Sequence, residues 1–427
     1  MRVLRGRLLR WAGSPFEIGD AALAWEEDGA VAIEAGRISA AGPADAVIAA
    51  APEAPVSRTA HIIAPGFVDC HLHYPQTGIL ASWGATLIDW LNRYTFPEEA
   101  GFADRSRAEA TAPAFFAETL RNGTTATASF ATIHAHSVDA YFEEAARRGV
   151  AAIGGRVMMD RNAPETLRDT AERAHDESAA LIARWHVRGR ALYAISPRFA
   201  PTSSEAQLEA AGALSAAHPG CLVQTHLSET EAEIAWVREL FPWAADYLAV
   251  YDRFGLTGPA SVFGHAIHLE ARERARLAEA GAAVAHCPTS NLFLGSGACD
   301  VAGLAAEGVR MGLASDIGGG PGFSMLATMR AAYEIGQLRG TALTPAALWW
   351  LATAGSAAAL RLDGELGDLV PGSAADLVLL DPEATPVLAA RCDRAESPSE
   401  LLFALIMLGD DRAVAETWAA GRPVHRR

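Results

Sequence analysis

The stretch Pro65-Gly66-Phe67-Val68-Asp69-Cys70-His71-Leu72-His73 decides how this chain is read. Residues 67–73 form a short apolar run after a Pro-Gly pair, the pattern of a buried β-strand. The run ends in His-Leu-His. Alternate residues of a strand point the same way, so both imidazoles face one side and offer two nitrogens to one metal ion.

Outward from this strand, further short apolar runs fall at residues 124–129, 150–158, 190–196, 221–226, 261–265, 282–286 and 309–316. Amphipathic helices separate them. Ser137 is placed to cap a helix over 138–148 that Gly149 ends, and Ser204 to cap one over 205–217. Thr344-Pro345 opens another running towards Leu360. Eight strands alternating with helices predict an α/β fold built on a (β/α)8 TIM barrel over residues 65–362. Both ends of the chain read differently. Residues 3–11 and 31–38, and later 376–381 and 413–424, are strand candidates among glycine-rich turns. They predict a small β-sandwich domain assembled from residues 1–64 and 363–427.

In such a barrel the reactive groups lie at the C-terminal ends of the strands. There the sequence places His71 and His73, then His226 with Glu229 three residues on, then His265, then Asp316 before a glycine run. His71, His73, His226 and Asp316 offer three nitrogens and one oxygen, a ligand set that suits catalytic zinc with a position left for water. Such a metal lowers the pKa of bound water towards ~7. Glu229 is placed to shuttle protons between water and substrate, and His265 to stand beside the water as hydrogen-bond donor or further ligand. His286 ends the seventh strand and is left open between pocket lining and core. The remaining histidines take ordinary structural roles.

Composition narrows the chemistry. The chain has 427 residues, with 35 basic against 51 acidic, for a net charge of −16, and every basic residue is an arginine. Without lysine there is no Schiff base, no P-loop lysine and no carboxylated lysine to bridge two metals. The acidic balance argues against nucleic acid or anionic membrane as partner. Cys70, Cys221, Cys287, Cys299 and Cys392 form no C-x-x-C pair and read as free thiols of a reducing compartment. The arginine-interrupted N-terminus has no signal-peptide core, and no apolar run is long enough to span a bilayer, so a cytoplasmic location is expected. A cysteine-ligated zinc site and a G-x-S-x-G serine hydrolase both lack their motifs.

The 65–73 string and the later His, His and Asp resemble the amidohydrolase superfamily, over essentially the whole chain. Members with two metals bridge them through a carboxylated lysine or a glutamate of strand four. Here strand four ends Ala194-Ile195-Ser196-Pro197-Arg198-Phe199, with neither, so the resemblance implies the single-metal deaminase type. Within it, His73-Tyr74-Pro75-Gln76, Leu87-Ile88-Asp89-Trp90-Leu91-Asn92-Arg93-Tyr94-Thr95-Phe96-Pro97-Glu98 and Val157-Met158-Met159-Asp160-Arg161-Asn162-Ala163-Pro164 are similar to the guanine deaminase branch. The segments 196–199 and 286–297 add to that likeness. The resemblance implies one Zn2+ per chain, or Fe2+, with guanine and water as partners and a homodimer as the assembly. It also implies that Arg198 and Gln76 read the purine edge and that Phe199 stacks on the ring, roles suited to a guanidinium fork, an amide and an aromatic face. The reaction implied is attack of water at C2 with Glu229 carrying its proton to N3. Related aminohydrolases and chlorohydrolases of pterins, triazines or other purine-like rings share the chemistry. A non-catalytic scaffold is disfavoured, because all six residues of the metal and proton machinery are present.

Overall fold

The computed structural model describes residues 1–84 and 86–427. Its centre is a ring of eight strands: β1 (Phe67–His73), β2 (Thr124–Phe130), β3 (Ala151–Gly155), β4 (Ala191–Pro197), β5 (Leu222–Leu227), β6 (Ser261–His265), β7 (Ala283–His286) and β8 (Arg310–Leu313). Each pairs in parallel with the next in sequence. The ends of this ladder meet where β1 faces the segment after β8. There the Asp316 N–H donates to the His71 carbonyl at 3.0 Å and the His73 N–H to the Ile317 carbonyl at 3.1 Å. The Ser315 N–H adds a bond to the Asp69 carboxylate at 3.0 Å. The sheet is thereby rolled into the expected barrel.

Small side chains fill the inside. Val68, Cys70, Ala126, Ala128, Ile153, Ala194, Leu222, Val262, Ala283 and Ala285 form one buried cluster drawn from seven of the strands, as a closed barrel of this size requires. Phe67 and Leu72 pack instead with the outer shell of helices. The two parities of β1 change places because it carries a β-bulge: Asp69 to Leu72 spans three residues against two, Thr127 to Ser129, on β2. One extra residue re-aims the strand, so that Val68 and Cys70 fill the lower interior while His71 and His73 reach the upper one.

The chain ends build a separate seven-stranded sheet, the expected β-sandwich part. It contains Arg2–Trp11, Leu23–Glu34, Arg37–Pro43, Val56–Pro65, Leu377–Leu380, Val414–Ala419 and Arg422–Arg426. Leu4, Leu8, Val31, Ile33, Ile63, Leu377, Leu379 and Trp418 close on one another in its core. The runs expected as single strands at 31–38 and 413–424 are each broken by a hairpin turn. Ala35-Gly36 has φ of 50° and 82°, and Ala420-Gly421 has 44° and 71°. Positive φ at both central residues is what a two-residue hairpin loop demands.

Other expectations shift locally. The run at 150–158 splits into β3 and the two-residue strand Val157–Met158. The eighth strand stops at Leu313, so Asp316 lies in the loop beyond it. Ser204 and Thr344 cap their helices by accepting from Gln207 and Ala347 N–H groups. Ser137 does not cap: its helix is Ala135–Arg148. Its hydroxyl instead accepts from Thr132 N–H at 3.1 Å and donates to the His134 carbonyl at 2.7 Å. The helix opened by Thr344 ends at Leu351 and resumes as Ala354–Ala359. Between Leu380 and Val414, the helices Pro386–Cys392 and Pro398–Leu408 leave the sheet. The second packs on the barrel helix Met325–Leu338, with the Tyr333 and Phe403 rings 4.9 Å apart. Among the described residues, no helix is long and apolar enough to cross a membrane.

Candidate active site

The strand ends converge on one cavity of about 420 Å³, counting its mouth. His73, Gln76, Arg198, Phe199, His226, Glu229, His265 and Asp316 line it, with Leu87, Trp90, Leu91, Leu294 and Gly319. His71 lies just beneath. Its Nε2 is 3.6 Å from Asp316 Oδ1, the same distance that separates His73 Nε2 from that oxygen. His73 Nε2 and His226 Nε2 stand 3.1 Å apart. The structure therefore brings together all four residues of the expected metal set.

The surroundings prepare these side chains to be neutral ligands. Burial first, and then the neighbouring histidines and Arg198, hold His71, His73 and His226 well below the ordinary histidine range. The His226 Nδ1–H donates to the Arg198 carbonyl at 2.7 Å, which leaves a bare lone pair on Nε2. His71 Nε2 is buried without a hydrogen-bond partner among the described residues. Lone pairs gathered this closely, with a carboxylate beside them, fit a divalent cation. Burial pushes Asp316 up to about 7, opposed mainly by His265. Cys287 also comes within ligand distance of His71, His265 and Asp316. Burial drives its thiol well above the ordinary value.

The backbone at the strand ends is bent to hold this arrangement. Ser228, His265, Ala266 and Asp316 have φ of 48°, 67°, 47° and 49°. Left-handed non-glycine residues each cost on the order of 1–3 kcal/mol, and of these four His265 and Asp316 line the cavity. Gly264 has a different task. A Cβ at that position would lie 2.7 Å from Cε1 of His71, so the His71 ring occupies the space a side chain would need.

Glu229 is fixed from two sides. Ser296 Oγ–H donates to its Oε1 at 2.8 Å, and its own N–H donates to Glu233 Oε2 at 3.0 Å. Its Oε2 is 3.5 Å from His265 Nε2, which is also 3.8 Å from Asp316 Oδ2. His265 Nδ1 contacts Asn291 Oδ1 at 2.9 Å. Burial alone would lower the pKa of His265, but the Glu229 and Asp316 carboxylates and the Asn291 bond raise it above the ordinary value. His265 is thus raised where His71, His73 and His226 are lowered.

The opposite wall carries a buried ion pair that the sequence did not disclose. Glu99 accepts from Arg198 Nη1 at 2.9 and 2.7 Å and from Gln76 Nε2 at 2.8 Å. Sequence pattern could not separate Glu99 from Glu98, since both stand in Phe96–Ala100. Only the fold turns Glu98 outward to Arg107. Ser296 and Asn291 were likewise missed as supports, although both lie in the 286–297 segment. His286 is fully buried outside the cavity lining, and burial holds it down at about 3.

Known proteins resemble this chain in sequence and in fold. The model of the amidohydrolase family matches residues 62–424. The guanine deaminase of Escherichia coli K12 is 43% identical over 432 residues, covering 100% of this chain and 98% of that protein. Its solved structure superposes with a TM-score of 0.97 over 100% of both chains. A guanine deaminase from C. acetobutylicum, solved with guanine bound in the active site, is 28% identical with a TM-score of 0.90, covering 99% of this chain and 100% of that one. An adenosine deaminase from Xanthomonas campestris, solved with bound zinc, is 25% identical with a TM-score of 0.85, covering 99% and 92%.

Proposed function

The chain belongs to the amidohydrolase family and hydrolyses guanine to xanthine and ammonia, and on that premise we propose that His71, His73, His226 and Asp316 hold one zinc ion while Glu229 carries the protons. Three neutral imidazoles and one carboxylate support zinc, and Fe2+ is served by the same donors. The end of β4, with neither lysine nor carboxylate, supports a single ion. Bound there, the ion would bring the pKa of a water towards ~7 and so supply a nucleophile at neutral pH.

The protein's own groups do the rest. Glu229 accepts a proton from the attacking water and delivers it to ring N3. The Ser296 hydroxyl engages Oε1 of Glu229, leaving Oε2 on the side of His265 for this traffic. His265 donates to the oxygen adding at C2 and offsets its growing negative charge. Asp316 receives the remaining water proton during breakdown. Asp316 passes that proton to the 2-amino nitrogen, the C2–N bond breaks and its electron pair leaves with the amine as ammonia while the C2 carbonyl forms. Arg198 donates to the O6 side of the purine, Gln76 meets the adjacent position and Phe199 packs on the ring face.

The observation that carries this reading is Glu229 and His265 held against the His71–His73–His226–Asp316 cluster, with the Arg198–Glu99–Gln76 wall across the same cavity. The test is xanthine and ammonia formation from guanine, with and without a chelator, beside pterin and triazine substrates. Guanine is expected to be turned over fastest, with activity lost to the chelator and restored by Zn2+. Metal-loaded protein that leaves guanine unchanged would overturn it. A cytoplasmic homodimer completes the proposal. Five unpaired cysteines support a reducing compartment, and Leu338 and Leu408, exposed at the ends of the packed helix pair, support an apolar contact between copies.

A further inference from the structure

We infer that Glu99 is a positioning residue that makes the cavity select a ring lactam, a carbonyl beside an N–H, over the corresponding 6-amino ring. The inference rests on the placement of guanine proposed above. Glu99 is fully buried, and an ionised carboxylate only accepts hydrogen bonds. It can therefore hold Gln76 by the NH2 end alone, as the 2.8 Å contact records. The other end, Oε1 of Gln76, is buried without a hydrogen-bond partner among the described residues. Gly318 gives that oxygen room, since a Cβ there would stand 1.9 Å from it. A buried acceptor of this kind is costly unless a ligand brings a donor. Glu99 also takes both contacts of Arg198 Nη1, balancing its charge and leaving Nε and Nη2 outside the pair.

The wall thus presents a guanidinium donor next to an amide acceptor. Guanine meets it with O6 and N1–H. A purine with a 6-amino group and a bare N1 meets it with a donor against the donor and an acceptor against the acceptor. A site that mispairs buried polar groups discriminates far more strongly than one that senses size.

The experiment compares guanine with 2,6-diaminopurine in the zinc-loaded enzyme. Both carry the 2-amino group that leaves as ammonia when the water oxygen bonds to C2, but their recognition edges are reversed. In Glu99→Gln, the new amide can donate, so Gln76 can turn its oxygen to it and present NH2 to the ring. The ratio of kcat/KM for guanine over 2,6-diaminopurine is expected to fall at least about tenfold, with metal content and circular dichroism unchanged. Gln76→Met removes the acceptor while Glu99 itself and its pair with Arg198 stay in place. It should lower guanine turnover more than 2,6-diaminopurine turnover, so the ratio falls again, and it decides the matter alone if Glu99→Gln does not fold. A folded, metal-loaded variant whose ratio stays within about threefold of the unmodified enzyme overturns the inference, because a merely structural Glu99 would slow both substrates alike. Unmodified enzyme that turns over 2,6-diaminopurine and leaves guanine untouched would instead refute the placement on which the inference stands.

Discussion

Glu229 and His71 illustrate two ways a single residue can fail. Glu229, the proposed proton carrier, belongs to neither group of gathered ligand atoms among the described residues. Glu229→Gln should keep its metal, measured by elemental analysis, while kcat falls about 10²- to 10⁴-fold. His71 can be displaced without being changed. Gly264→Ala would press a methyl against its ring, and we expect metal affinity to fall about 10- to 100-fold, read by competition with a chromogenic chelator. The convergence of His71, His73, His226 and Asp316 was legible in the sequence because all four stand at or just beyond the ends of strands that a barrel gathers at one face. Glu99 was not legible, since its meaning depends on Arg198, 99 residues away, and on which of two adjacent glutamates the fold turns inward.

At the level of elements, the helix Glu231–Leu240 shows how the scaffold reaches the chemistry. Thr230 and Glu233 form a capping box at its start, and Glu233 also accepts from Tyr247 Oη at 2.6 Å and from the Glu229 N–H. Burial, and next the nearby Glu229, push Glu233 up to about 7. An acid whose pKa is raised on folding holds its proton longer in the native state, so stability declines as pH climbs from its unfolded value, ~4.3, to about 7. Glu233→Gln removes that component. Thermal unfolding across pH 5 to 7 should show a Tm that declines less with rising pH in the variant than in the unmodified enzyme. Of the three helix starts read from caps, those at Ser204 and Thr344 stand. Ser137 was misread because Thr132 and His134 engage its hydroxyl. Both hairpins were missed because alanine stands where asparagine or aspartate usually marks such a turn. The bulge in β1 was invisible, since an extra residue leaves no mark on a fully buried run.

For the whole molecule, the proposed ligands come from the first and fifth barrel strands and the loop after the eighth, so a cation bound there would tie together residues 245 apart, from His71 to Asp316 (316 − 71). A ligand that binds only the folded state stabilises it by about 2.7 kcal/mol at a hundredfold excess over Kd. Chelation should therefore lower Tm by several degrees, with recovery on adding Zn2+, as followed by scanning calorimetry. The missing lysines take their meaning at this scale too. They first excluded a bridging carbamate, and β4 then proved to end in an arginine engaged by Glu99 instead of a second-metal ligand.

The seam between β1 and β8 gives the barrel an intrinsic clock. The amides of His73 and Asp316, both proposed ligands, are each held by one bond across it, to the carbonyls of Ile317 and His71. Their exchange with deuterated water requires the ring to part at that point. Deuterium uptake at these two amides should therefore slow on metal loading more than uptake inside the β5–β6 ladder, making the seam a direct gauge of how often the closed barrel opens.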